Sequence, residues 1–108
     1  MTQHSIDPHS EFQRAQLFFN MDNPVEAARV LAPLVTAEPE NQAALELLAR
    51  SYFASAQLGR AEETLGRLVE LAPANGWARR ALARTLERQS RADDAAVHHR
   101  VADALGVA

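Results

Sequence analysis

The chain has 108 residues, with 14 acidic side chains, 11 basic ones and a net charge of −3. It contains no cysteine, which excludes disulfides and cysteine-ligated zinc and suits a reducing compartment. The length is that of one domain, no apolar run reaches membrane-spanning length, and the first seven residues lack the blocks of an export signal, so we expect a cytoplasmic protein.

The first two predicted helices are separated by a short turn. Residues 1–7 are polar and are expected to form a flexible segment before a helix over 8–20. Pro24 has the fixed φ of a first helical residue, so it predicts the start of a second helix over 24–37. Pro33 lies inside that helix and removes one backbone hydrogen bond, which predicts a kink or an opened turn.

The third predicted helix carries the clearest helical pattern. Leu45, Leu48, Ala49 and Tyr52 follow the i, i+3, i+4, i+7 rule and form one apolar stripe over residues 42–54. The remaining predicted helices are 58–71, 76–88 and 92–105. Each of the six helices has only about 13 residues and is too short to be stable alone, so packing must hold them together.

Two Pro-x-Asn triplets divide the chain. Pro39 and Pro73 cannot continue the preceding helix, and Asn41 and Asn75 can each accept a bond from a free N–H group in the first turn of the next one. Each triplet therefore predicts the end of one helix and the start of another.

Residue types also return at a step of 34 residues. Alanines recur at 15, 49 and 83 and again at 27, 61 and 95, while Phe18, Tyr52 and Leu86 share another register. Because two helices and two turns fill this length, the step predicts three repeats, at about 8–41, 42–75 and 76–108, within one all-α domain covering 8–108. Such units stack as antiparallel helix pairs.

The middle repeat resembles the tetratricopeptide repeat family, because its apolar and small residues stand in the order and spacing of that family. These residues are Leu45, Leu48, Ala49, Tyr52, Ala61, Leu65, Leu68 and Pro73. Arg14 and His99 depart from the pattern, since the family usually has apolar residues there. The resemblance covers about residues 8–105 and implies a right-handed α-solenoid that binds protein ligands on its concave side.

The exposed side of the first helix in each pair is the candidate binding groove implied by this resemblance. It combines aromatic rings with arginines at helical spacing. The candidate groove residues are Phe12, Gln16, Phe19, Glu46, Arg50, Phe53, Trp77, Arg80, Arg84 and Arg88.

Two interpretations of these residues remain open. Residues 76–91 contain five arginines against one glutamate, a local charge of +4 that could attract an acidic partner. Alternatively, Glu46 pairs with Arg50 and with Arg80, and the surface is a solvated network of ion pairs. Trp77 is either an anchor for a ligand or a packing residue at the junction with the second repeat.

The last helix suggests self-association. Val97, Val101 and Leu105 form an i, i+4, i+8 stripe that no further helix follows, and two chains could bury it in a symmetric homodimer. The alternative is that the stripe is too small to drive association, with Arg100 and Asp103 beside it.

Other function classes have little support. His4, His9, His98 and His99 form no metal-binding pattern, and we predict no metal, no cofactor and no catalytic residues. The sequence therefore predicts a non-enzymatic adaptor that binds an acidic and apolar segment of another protein. A self-associating structural subunit is the alternative, and a nucleic-acid binder ranks last because the chain is acidic. No membrane partner is expected.

Overall fold

The computed structural model describes residues 7–107 of the chain, and its helices follow the predicted order. They are α1 (Pro8–Asn20), α2 (Pro24–Ala37), α3 (Gln42–Ala54), α4 (Leu58–Leu71), α5 (Gly76–Arg88) and α6 (Ala92–Ala104). The first five have the predicted bounds, while α6 ends one residue before the predicted Leu105. The described residues contain no strand, and none of their helices has the length and apolar character needed to cross a membrane.

Side chains cap the helices where the sequence predicts new starts. Asn41 accepts a hydrogen bond from the N–H of Ala44 at 3.0 Å, and Asn75 accepts one from the N–H of Ala78 at 3.1 Å. Each bond satisfies one N–H group that has no partner within its own helix. The Pro-x-Asn triplets therefore separate the repeats by the predicted mechanism.

The predicted flexible segment over residues 1–7 lies outside the described residues except for Asp7. Asp7 is the N-cap of α1, and its carboxylate accepts bonds from the N–H of His9 at 3.2 Å and from the hydroxyl of Ser10 at 2.8 Å. The bonds from Ser10, above all that of its hydroxyl, lower the pKa of Asp7. Asp7 thus belongs to the helical domain and not to the segment before it.

Helix α2 continues through Pro33, where the sequence predicts a kink or an opened turn. The helix is continuous from Pro24 to Ala37. Pro33 is exposed, so the carbonyl group of Arg29, which Pro33 cannot bond, lies on the side that water can reach. We expect water to solvate that carbonyl, which would let the helix tolerate the proline.

The six helices stack in sequence order as three antiparallel pairs. Each helix packs against its neighbours along the chain, and α1 also contacts α3. The described chain measures 53 × 24 × 20 Å with a radius of gyration of 14.5 Å, whereas a compact domain of this size would have about 13 Å. The elongation reflects stacking along one axis.

Small and large apolar residues share the core as the repeat pattern predicts. The alanines at 15, 27, 49, 61, 83 and 95 are at most 1% exposed, which lets the paired helices approach closely. Leu65 and Leu68 are buried to the same degree, and Tyr52 and Leu86 are also buried. Phe18 is half-buried against the same core.

Candidate functional site

A cavity of about 350 Å³ opens between α1, α3 and α5, the first helices of the three pairs, which line the side of the stack that the repeat architecture predicts to be concave. It contains six of the ten candidate groove residues: Phe19, Arg50, Phe53, Trp77, Arg80 and Arg84. Its lining also includes Ala49 and Leu65, which belong to the predicted repeat pattern, and Thr85, for which the sequence carries no groove signal. The geometry therefore brings the rings and arginines of three helices around one opening.

The other four candidate residues lie outside this lining. Phe12 is half-buried against the core, and Gln16 is exposed on α1. Glu46 pairs with Arg50 at 3.3 Å, and the guanidinium of Arg88 lies 4.8 Å from the ring centre of Phe53. Glu46 and Arg88 thus contact residues that line the cavity but do not line it themselves.

Trp77 packs at the junction between repeats, and its ring also faces the cavity. Its half-buried ring packs against the two core clusters, one centred on α2 and α3 and the other on α4 to α6. The ring also lines the cavity. Trp77 therefore joins neighbouring repeats while it presents part of its surface to the opening.

Arginines cover two of the three aromatic rings that line the cavity. The guanidinium of Arg50 lies 4.5 Å from the ring centre of Trp77, which is a cation–π contact. Arg88 makes the same kind of contact with Phe53 and also donates to the Phe53 carbonyl at 3.4 Å. A guanidinium that lies over a ring is held in place but keeps N–H groups at its edge for an acceptor.

One interpretation of the sequence paired Arg80 with Glu46. The structure instead gives Arg80 partners near the end of the described chain. Its side chain is 13% exposed and donates to Asp103 at 2.6 Å and to the carbonyl of Val107 at 2.7 Å. It also contacts Nδ1 of His99 at 2.7 Å. Because these partners belong to α6 and to the residues after it, Arg80 connects the last helix to the end of the groove.

Most of the arginines between 76 and 91 have partners inside the domain. Arg79 contacts His98 at 3.3 Å, and Arg91 pairs with Glu62 at 2.9 Å. Arg84 is exposed at the cavity and has no ion pair or hydrogen bond with any of the residues 7–107. The exposed positive charge of this segment therefore lies at Arg84 and at Arg88, whose guanidinium is held over the ring of Phe53.

The two neighbouring histidines of α6 face α5. Burial, and then the positive charge of Arg79, lowers the pKa of His98 below its ordinary value of 6.5. Nε2 of His99 lies 3.2 Å from a carboxylate oxygen of Glu87. Both histidines are thus engaged in the contact between α5 and α6, and no group of three His, Asp or Glu side chains that could hold a metal occurs in residues 7–107.

The stripe predicted for self-association lies on the outer side of α6. Val97 is 49% exposed and Leu105 is 40% exposed, while Val101 is half-buried. One and two repeats earlier, the positions that correspond to Val97 carry Glu63 and Arg29, which are also exposed. This register therefore faces solvent in all three repeats.

Comparison with known proteins identifies the repeat type. The family model described as "Tetratricopeptide repeat" matches residues 18–73, slightly more than half of the chain. No curated protein matches the chain.

Several solved structures of MamA have the same fold. MamA AMB-1 superposes with a TM-score of 0.88 at 19% identity, covering 93% of this chain and 59% of that one. MamA 41-end from Desulfovibrio magneticus RS-1 superposes with a TM-score of 0.87 at 22% identity, covering 93% of this chain and 56% of that one. MamA MSR-1 superposes with a TM-score of 0.87 at 18% identity, covering 93% of this chain and 57% of that one. The chain thus spans less than three-fifths of these MamA chains, and the likeness at such identities shows the fold.

Proposed function

The chain belongs to the tetratricopeptide repeat family, and from that premise we propose that it is a non-enzymatic adaptor that binds a segment of another protein. The proposed ligand is an extended or helical segment with acidic and apolar residues, held in the concave cavity. Repeat stacks of this kind suit the task, because the first helices of successive pairs form a continuous wall along which a segment can lie.

The observation that carries this proposal is the pairing of Arg84 with an aromatic and apolar lining in one cavity. Phe19, Phe53 and Trp77 supply ring surface, and the volume of about 350 Å³ suffices for one or two side chains of a ligand. Arg84 is exposed beside them and can bind a carboxylate through two parallel N–H groups. Apolar anchors and an acidic residue would therefore be recognised together.

Arg50 favours the same ligand chemistry. Its guanidinium is already positioned by the ring of Trp77 at 4.5 Å, so little side-chain entropy is lost when it donates to an acceptor. Glu46 pairs with Arg50 at 3.3 Å, and both side chains are more than two-fifths exposed. A pair this exposed is weak, so a ligand carboxylate can compete with Glu46 at small cost.

A charge reversal at Arg84 tests the proposal. The experiment is a pull-down from lysate with quantitative mass spectrometry, using the wild-type chain, Arg84→Glu and Arg100→Glu. Arg100 is exposed on α6 and does not line the cavity. Its reversal therefore changes the net charge by the same amount as Arg84→Glu but leaves the cavity unchanged. We expect wild type and Arg100→Glu to retain the same proteins and Arg84→Glu to lose them, while equal recovery by all three would contradict groove binding.

Self-association is a second candidate function. The observation that favours it is the exposure of Val97 and Leu105, which leaves apolar surface on α6. If α6 forms a homodimer, Val97→Arg should convert a dimer into a monomer in size-exclusion chromatography with light scattering. A monomeric mass for the wild-type chain at high concentration would remove this candidate and leave the adaptor.

A further inference from the structure

The residues that follow α6 turn back toward the start of α5. Gly106 has a φ of +80°, a conformation that glycine adopts readily and β-branched residues avoid. The N–H of Val107 bonds to the carbonyl of Ala102 at 3.1 Å, and the N–H of Gly106 bonds to that of Asp103 at 3.0 Å. This pattern reverses the chain at a helix end. It directs the tail, residues 105–107, to the groove.

Gly76 provides the space that the tail enters. A Cβ atom at position 76 would overlap Cγ2 of Val107 and would lie 3.1 Å from Cβ of the same residue. The corresponding positions of the first two repeats carry Pro8 and Gln42, so the space is specific to the third repeat. The missing side chain at 76 thus creates a notch that fits the branched side chain of Val107.

Arg80 binds the main chain of the tail beside this notch. Its guanidinium donates to the Val107 carbonyl at 2.7 Å, and Asp103 at 2.6 Å holds it in orientation. Val107 also lines the concave cavity together with Trp77 and Arg84. The tail therefore occupies one end of the same opening that the proposed ligand would enter.

We infer that the notch at Gly76 and the guanidinium of Arg80 form a peptide subsite for a short branched aliphatic residue and its main-chain carbonyl, which Val107 occupies within the same chain. The inference rests on the proposed function in one respect, since it makes the subsite part of the ligand groove. Its consequence is competition: a peptide that uses this end of the groove must first displace the tail.

The tail is a strong competitor because it is attached. A segment joined by a few residues is present at an effective concentration in the millimolar range. A free peptide with the same contacts therefore binds with an affinity reduced by the fraction of molecules in which the tail is released. Releasing the tail without altering the notch should raise the affinity at least about fivefold.

Two substitutions at Gly106 separate tail release from damage to the subsite. Gly106→Val strains the positive φ, which β-branched residues avoid, and should release the tail from the notch, whereas Gly106→Asn tolerates that φ and should keep the turn. The probe is a fluorescently labelled peptide with the sequence of residues 102–108, and the measurement is fluorescence anisotropy with the 108-residue chain. We expect Gly106→Val to bind it at least about fivefold more tightly than wild type and Gly106→Asn.

A pair of glycine substitutions then locates the binding. Gly76→Ala combined with Gly106→Val should lose the peptide because the new Cβ atom fills the notch. Gly59→Ala combined with Gly106→Val should keep it, since a Cβ atom at Gly59 meets nothing within 4 Å. Circular dichroism checks that each variant is helical.

Three results would overturn the inference. The first is that Gly106→Val binds the peptide no more tightly than wild type, and the second is that Gly106→Val does not bind it at all. The third is that Gly76→Ala/Gly106→Val binds the peptide as tightly as Gly106→Val. The pull-down with Arg84→Glu does not use this peptide, so failure of the subsite and failure of the proposed function are distinguishable.

Discussion

Single residues with a positive φ form the turn inside each helix pair. Asp22, Ala56 and Ser90 stand 34 residues apart and have φ values of 60°, 59° and 61°. The N–H group that follows each of them bonds to a carbonyl five residues earlier, as in Gln57 to Tyr52 at 2.8 Å. The turn thus ends the first helix of every pair by the same geometry, although none of the three residues is glycine.

Ala56→Gly should stabilise the protein. The left-handed conformation costs an alanine about 1–2 kcal/mol, and the greater chain entropy of glycine offsets about 0.5–1 kcal/mol of that gain. We expect the free energy of unfolding in urea to rise by about 0.5–1 kcal/mol.

Ala43→Gly is the control for this prediction. Ala43 is exposed in the first turn of α3, where glycine has no conformational advantage and should lower the free energy of unfolding. A loss of stability in both variants would contradict the assigned strain at Ala56.

At the scale of the helices, the sequence contains most of the information needed to place them. The bounds of α1 to α5 follow from local signals, namely prolines that end helices and asparagines that cap them, together with the 34-residue step. The end of α6 is different, because Gly106 turns the chain with a positive φ and Leu105 falls outside the helix. Local chemistry therefore predicts most helix ends correctly.

The contacts of Arg80 could not be predicted in the same way. Helical spacing places Arg80 on the same side of α5 as Arg84, and on spacing alone it belongs to the groove. Its partners Asp103 and Val107 are 23 and 27 residues away, and they reach Arg80 only because the tail turns back. The absence of a side chain at Gly76 is the signal that could have suggested such a close approach.

The pair formed by α5 and α6 should depend on pH through His98. Its pKa is lowered by burial and by Arg79, while Asp94 and Glu62 act in the opposite direction and His99 adds to the lowering. Protonation is therefore less favourable in the folded chain than in the unfolded one. The contribution of neutral His98 to the free energy of unfolding is present above about pH 6.5 and is lost as the pH falls below that value.

His98→Thr should reduce this dependence. The same position in the second repeat is Thr64, which is buried and tolerated there. We expect urea unfolding at about pH 7.5 and about pH 5 to show a smaller loss of stability for His98→Thr than for wild type. An identical loss of unfolding free energy in the two proteins would mean that protonation of His98 does not affect stability.

At the scale of the whole molecule, the three helix pairs have unequal surroundings. The middle pair, α3 and α4, packs against α2 on one side and α5 on the other. The outer edge of α1 has no such neighbour among residues 7–107, and Leu17 is 63% exposed there. The corresponding residues Ser51 and Thr85 in the later repeats are fully buried. In a stacked array, each unit gains stability from the neighbours that cover it.

Amide hydrogen exchange should therefore be slowest in the middle pair. Within residues 7–107 the first and last pairs have one neighbouring pair each. The contact between α5 and α6 also includes the polar pair of Arg79 and His98, whereas the corresponding positions of α3 and α4 carry Leu45 and Thr64. We expect exchange under native conditions, followed by mass spectrometry of peptic fragments, to give protection that decreases from α3 and α4 toward α1 and α6. The same protection factor in all six helices would instead mean that the array opens only as a single cooperative unit, and the unequal packing of its ends would then have no energetic consequence.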